Sequence, residues 1–219
     1  MQPLTIDALC TQARTFAAQL SQRAIPELFG TTDGKAVGTY LERSFKEHLH
    51  GLYDFAHGNA ASGIDFPGIG VDIKTTSCRQ PQSSCPFSSA RQKVYGLGYG
   101  LLIFVYDRQD DAAARSATLH ITDAVFVQAQ HTADFQTTRG LRQILDNEGN
   151  ADDLIAFLLE RHLPLDDIGL RALAEEIMRH PPEQGWLTIS NALQWRLQYS
   201  RAIEKAGSVP ELRLIYKSA

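Results

Sequence analysis

The sequence predicts an α/β fold of the α+β kind, a mixed central β-sheet flanked by helices. Three observations predict it. Leu101–Tyr106 is a short, wholly apolar run, which suits a strand buried on both faces. Amphipathic helical patterns precede it, and three more follow it at 139–147, 152–162 and 167–179. Between the two groups lie strand-like runs rich in β-formers at Val71–Thr76 and Thr118–Val127.

The elements follow in order. Ile6, Leu9, Ala13, Phe16 and Leu20 mark an opening amphipathic helix, ended by Pro26 and the stretch from Gly30 to Gly34. A second helix starts near Lys35; Leu41, Phe45 and Leu49 recur at i, i+4, i+8 and form a stripe that packs on the sheet. Asp65-Phe-Pro-Gly-Ile-Gly-Val-Asp72-Ile-Lys74 reads as a tight hairpin, with Pro67-Gly68 as the turn. Residues 78–86 read as a polar loop. The last expected helix covers 191–206, N-capped by Ser190. The chain is expected to be one domain over 1–219, with a core over about 35–127 and a helical C-terminal part over about 139–219.

Composition excludes several classes. Cys10, Cys78 and Cys85 are odd in number and scattered, which argues against a zinc site and for reduced thiols. No apolar run approaches membrane-spanning length, so the expectation is a soluble, cytoplasmic protein. The net charge of −4 is unevenly spread. Residues 107–183 carry 7 basic and 15 acidic groups, whereas 1–106 carry 9 and 8 and 184–219 carry 5 and 2. Local basic faces, rather than total charge, make phosphate contacts. The flanks can therefore meet nucleic acid while the acidic middle faces away.

The hairpin carries the chemistry. Side chains alternate along a strand, so Asp72 and Lys74 share one face, and Asp65 returns beside them across the turn. Two carboxylates about 4 Å apart repel by about 4 kcal/mol at an effective dielectric near 20, so a cation must offset them. Hard oxygen ligands suit Mg²⁺, with Mn²⁺ able to substitute. Such a metal, with a lysine beside it, is what phosphodiester hydrolysis requires. Glu42, on the second helix, is placed to lean over the hairpin and support the metal. Its plainer alternative is an i, i+4 pair with Lys46, worth about 0.2–0.5 kcal/mol.

Asp65…Asp72-x-Lys74 resembles the PD-(D/E)xK nuclease superfamily. Lys35…Gly38…Leu41-Glu42, followed by Asp65-Phe66…Gly70-Val71-Asp72-Ile73-Lys74-Thr75, is similar to the MutH branch of mismatch-repair nicking endonucleases and its restriction-enzyme relatives. The motifs cover roughly residues 35–106. The resemblance implies a restriction-endonuclease-like core and a Mg²⁺-dependent endodeoxyribonuclease that leaves 5′-phosphate ends. It implies metal binding by Asp65, Asp72 and Glu42, and a water positioned by Lys74. It further implies that Lys93, in the basic stretch Ser89–Tyr95, is an additional active-site lysine. Only a loose echo of the mismatch-repair branch occurs at Gly185–Ser190. That favours a type II restriction endonuclease over a MutH-like nickase, with a non-catalytic DNA-binding module as a third reading.

Candidate contacts to double-stranded DNA fall in two places besides Arg91. Arg79, Gln80, Gln82 and Ser83 lie just after the catalytic strand. Gln194, Gln198 and Arg201 share one face of the expected last helix, with Arg196 as a phosphate contact. Gln can pair with adenine and Arg with guanine in the major groove. A homodimer cutting both strands of a palindromic site is the matching assembly.

Overall fold

The structure is a computed structural model, which describes residues 2–56, 58, 63–85, 88–190 and 195–218. The elements run β1 (Gln2–Pro3), α1 (Ile6–Leu20), α2 (Gly34–His50), β2 (Tyr53–Asp54), β3 (Val71–Ser77), β4 (Gln82–Cys85) and α3 (Gln92–Tyr95). They continue with β5 (Gly100–Asp111), β6 (Ser116–Val127), α4 (Phe135–Asp146), α5 (Ala151–Glu160) and α6 (Asp167–Arg179). The chain closes with β7 (Thr188–Ile189), β8 (Trp195–Gln198), α7 (Ser200–Lys205) and β9 (Leu212–Lys217).

The central sheet has the order β3-β5-β6-β9. β3 runs parallel to β5, and β5–β6 and β6–β9 are antiparallel, so the sheet is mixed as expected. The apolar run on β5 divides cleanly between its two faces. Leu102, Phe104 and Tyr106 join Leu9, Phe16, Leu41, Phe45 and Leu49 in the core beneath α1 and α2. Leu101, Ile103 and Val105 pack on the other side against Leu187, Ile189, Leu197 and Tyr199. That second face is covered by a small antiparallel sheet, β4-β8-β7, together with α7. A third apolar cluster joins α3 to α4, α5 and α6 through Val94, Leu141, Leu154, Leu158, Leu170 and Ile177.

The helices begin where local chemistry starts them. Thr5, Asp33, Asp134 and Asp166 each accept a hydrogen bond from a first-turn amide of α1, α2, α4 and α6. Asn150 and Asp153 close a reciprocal capping box on α5. Phe45 is fully buried and contacts the rings of Phe16, Phe66 and Phe104. Truncating it to alanine would cost about 3–5 kcal/mol and loosen α2 from the sheet.

Three expectations need correction. No single helix spans 191–206: residues 195–198 form β8, and among the described residues of that range only Ser200–Lys205 is helical. Ser190 caps no helix, because its amide donates to the Arg196 carbonyl and its hydroxyl accepts from the Arg196 amide. The polar loop at 78–86 contains β4, paired to β8. The C-terminal part is not wholly helical, since β9 adds an edge to the central sheet. A register shift between Ala124 and Val125, opposite β9, interrupts the period-two pattern that would have announced it.

Candidate active site

The site is assembled at the free edge of β3. Pro67–Ile69 make one 3₁₀ turn, closed by Gly70 in the left-handed region at φ +60°, where a side chain would be strained. The expected hairpin is reduced to one antiparallel bridge, Phe66 to Val71, and no strand ends at Asp65. The turn still returns Asp65 to the strand. Asp65 Oδ2 accepts the Ile73 amide at 2.8 Å. β3 is an edge strand, so that amide has no β5 carbonyl to bind, and the carboxylate satisfies it.

The two faces of β3 then bring in the other groups. Val71 and Ile73 point into the core beneath α2, and Asp72 and Lys74 point to the opposite face. Lys74 Nζ lies 2.6 Å from Asp72 Oδ2. This buried oxygen is thus held against the Lys74 ammonium and has no other hydrogen-bond partner. From the helix side, Lys46 Nζ lies 2.6 Å from both Glu42 Oε1 and Asp65 Oδ1. The plain i, i+4 pair and the reach toward the hairpin are therefore the same contact. Lys46 thus links Glu42 to Asp65, and the Ile73 amide ties Asp65 to the backbone beside Asp72, so the three carboxyls crowd one another with Asp65 in the middle.

This crowding sets the protonation. Burial, then the hydrogen bond and charge of Asp65, push Asp72 up to about 6 against the opposing charge of Lys74. Burial alone would raise Asp65. Hydrogen bonds from Asp72, Glu42, Lys46 and the Ile73 amide outweigh it and hold Asp65 well below the usual carboxylate range. Burial and Asp65 raise Glu42. Lys46 is held protonated by the two acids it touches, despite burial. Among the described residues no three His, Cys, Asp or Glu side chains stand in ready-made metal-ligand geometry. The ammonium groups of Lys46 and Lys74 stand against their oxygens instead.

Of the residues singled out from sequence, Glu42, Asp65, Asp72 and Lys74 come together, and Lys93 does not join them. Lys93 is almost fully buried, and the charges acting on it are Asp134 and Arg161. The one-turn α3 is tied to the start of α4, where the Asp134 amide donates to the Lys93 carbonyl. Arg91 is also engaged elsewhere, forked onto Glu176 of α6 and stacked 4.8 Å from the Tyr95 ring centroid. Ser83 turns inward, its hydroxyl 2.5 Å from the Tyr199 hydroxyl. Arg201, half-buried, lies 3.9 Å over the ring centroid of the half-buried Phe135. Arg79, Gln80, Arg196 and Gln198 are exposed and Gln82 is half-buried; Gln194 lies outside the described residues. Lys46 was missed as a site residue. The signal for it was its i, i+4 step from Glu42, which puts both on the face toward the turn.

A cleft of about 730 Å³ runs from Glu42 and Gly38 on α2, past Thr75, to Gln80, Gln82 and Ser84. Of the acid cluster only Glu42 lines this cleft, beside Lys35, and uncharged hydrogen-bonding side chains line its other end. A family model described as "Type II restriction enzyme NspV" matches residues 3–213 of the chain. The chain belongs to this family of type II restriction enzymes. A curated relative, type II restriction enzyme NspV from Nostoc sp. (strain ATCC 29411 / PCC 7524), is 59% identical over 218 residues, covering 100% of this chain and 99% of the relative. No solved structure matches the chain. A type II restriction enzyme is a site-specific deoxyribonuclease, so this family assignment agrees with a cleft built for DNA. Among the described residues no helix is long and apolar enough to cross a membrane.

Proposed function

We propose that this restriction enzyme hydrolyses phosphodiester bonds of double-stranded DNA with Mg²⁺, for which Mn²⁺ substitutes, through a PD-(D/E)xK-type site that leaves 5′-phosphate ends. The observation that carries this reading is the convergence of Glu42, Asp65 and Asp72 with Lys74 at one strand edge. A hard divalent cation fits these residues. All three donors are carboxylates, and Asp72 Oδ2 is a buried oxygen whose hydrogen-bonding capacity only the Lys74 ammonium meets. Asp65, Asp72 and Glu42 would hold the metal, which when bound supplies charge neutralisation at the phosphate and a more acidic water.

The remaining work belongs to the chain. Lys74 sits 2.6 Å from Asp72, which fixes its ammonium beside the metal-binding oxygens. There it orients the attacking water and neutralises charge on the phosphate. Lys46 keeps the acids together before metal arrives. Two copies related by a two-fold axis would cut both strands of a palindromic site. The test is cleavage of plasmid and phage DNA in Mg²⁺ by the parent, Asp72→Ala and Lys74→Ala, with ligation of the products to detect 5′-phosphates. Full-rate cutting by both variants would refute the assignment.

A further inference from the structure

The small sheet beside the active site has two unlike faces. β4 and β8 pair antiparallel with Gln82 opposite Gln198, Ser83 opposite Leu197 and Ser84 opposite Arg196. β7 adds Thr188 opposite Gln198 and Ile189 opposite Leu197. Directly opposed residues share a face, and neighbours along a strand alternate. The inward face holds Cys85, Ile189 and Leu197, all buried, and Ser83, bonded to the buried Tyr199. The outward face therefore carries Thr188, Gln82, Gln198, Ser84 and Arg196. It has no acid and one cation. Every one of its side chains can donate a hydrogen bond.

This face is bolted to the catalytic strand. Thr76, two residues beyond Lys74, accepts the Gln82 amide at 2.9 Å through its hydroxyl oxygen and donates to the Gln82 carbonyl at 3.2 Å. The Tyr199 amide donates to the Pro81 carbonyl at 2.8 Å. Gln82 and Ser84 line the same cleft as Glu42. A residue on the outward face is thus rigidly related to Asp72 and Lys74, so a base held there sets where the backbone lies in the site.

We propose that the β4–β8 ribbon, extended by β7, is the base-reading element of this enzyme. The ribbon enters the major groove, with Gln82 and Gln198 as a cross-strand pair reading adenine and Arg196 reading guanine. A two-stranded ribbon fits the major groove, and bidentate Gln–adenine and Arg–guanine pairs are the contacts those side chains make there. The proposal rests on the reading of the acid cluster as a DNA-cleaving site, and it names that site's specificity determinants.

The experiment maps the termini of digested genomic DNA for the parent, Gln198→Ala, Gln82→Ala, Arg196→Ala and Arg196→Lys. In parallel, metal-free binding to the mapped site and to its single-base variants is measured over a range of salt. The expected result is loss of discrimination by about 5- to 150-fold at one base pair of the half-site per variant. Arg196→Lys keeps the charge, so it should retain affinity and salt dependence while losing its guanine preference. Unchanged discrimination in all four variants would overturn the proposal. So would an equal loss on every sequence with a shallower salt dependence, the signature of a phosphate contact. Failure of the cleavage reading is separate: the parent would then cut nothing in Mg²⁺ or Mn²⁺, while metal-free selection of bound duplexes from a randomised pool, by the parent and the same variants, would still report which bases the ribbon reads.

Discussion

Replacing Asp72 by Asn should inactivate the enzyme and, at the same time, make the metal-free protein more stable. Asp72 is buried beside Asp65, and its carboxyl is raised from the ordinary 3.8 to about 6. A group whose folded-state value is raised favours folding when protonated. That contribution is complete below the unfolded value and is lost as pH rises through the folded one. At pH 8 the charged Asp72 therefore costs the folded state at most about 3 kcal/mol, from roughly 1.36 kcal/mol per tenfold change in acidity. Asn has the same shape and no charge, but it forfeits the contact with Lys74, so the net gain should be about 1–3 kcal/mol. For a chain of this size that is roughly 2–12 °C in the unfolding midpoint. The assay is thermal unfolding in a chelator at pH 8 and at pH 4, with DNA cleavage in Mg²⁺ measured alongside. Near pH 4 the advantage should shrink toward zero, because Asp72 is then protonated in the folded parent. Equal or lower stability of D72N at pH 8 would refute the crowded-carboxylate reading. Parent-like cleavage by D72N would refute its role at the metal.

Other outcomes follow from the same geometry. Lys74→Ala should lower cleavage by about 10²-fold or more, while metal-free DNA binding, measured by gel shift, changes little. Lys46→Met removes the cation between Glu42 and Asp65, so the metal-free protein should lose about 1–2 kcal/mol in urea unfolding. Titrated calorimetrically, the same variant should bind divalent metal roughly five- to tenfold more tightly, since about 1 kcal/mol of competing charge is gone. Arg91→Ala breaks a half-exposed pair with Glu176, so it should cost under about 1 kcal/mol and leave the salt dependence of DNA binding unchanged. A marked fall in that dependence would return Arg91 to the DNA interface.

The parts of the molecule whose signal is local were legible along the chain. The periodicities of α1 and α2, the two-sided apolar run of β5 and the step from Asp65 to Asp72-x-Lys74 are all read within short windows. Burial then enforces them, because moving any of these residues off its face exposes the core. What depends on partners far along the chain was settled only by three-dimensional packing. β8, Trp195-Arg-Leu-Gln198, alternates apolar and polar over only four residues, and Ala192, Trp195, Tyr199, Ala202 and Ala206 thread an equally regular helical stripe through it. It is a strand because β4, more than 100 residues earlier, supplies its hydrogen bonds and the sheet face above β5 buries Leu197. Lys93 sits in a basic stretch that points toward catalysis by sequence alone. Its one-turn helix instead docks under α4, where Asp134 offsets part of the cost of burying its charge. Lys46 became a site residue only when the turn carried Asp65 back to the edge of β3. A charge's role is set by what lies within a few ångströms of it, and that distance is not written along the chain.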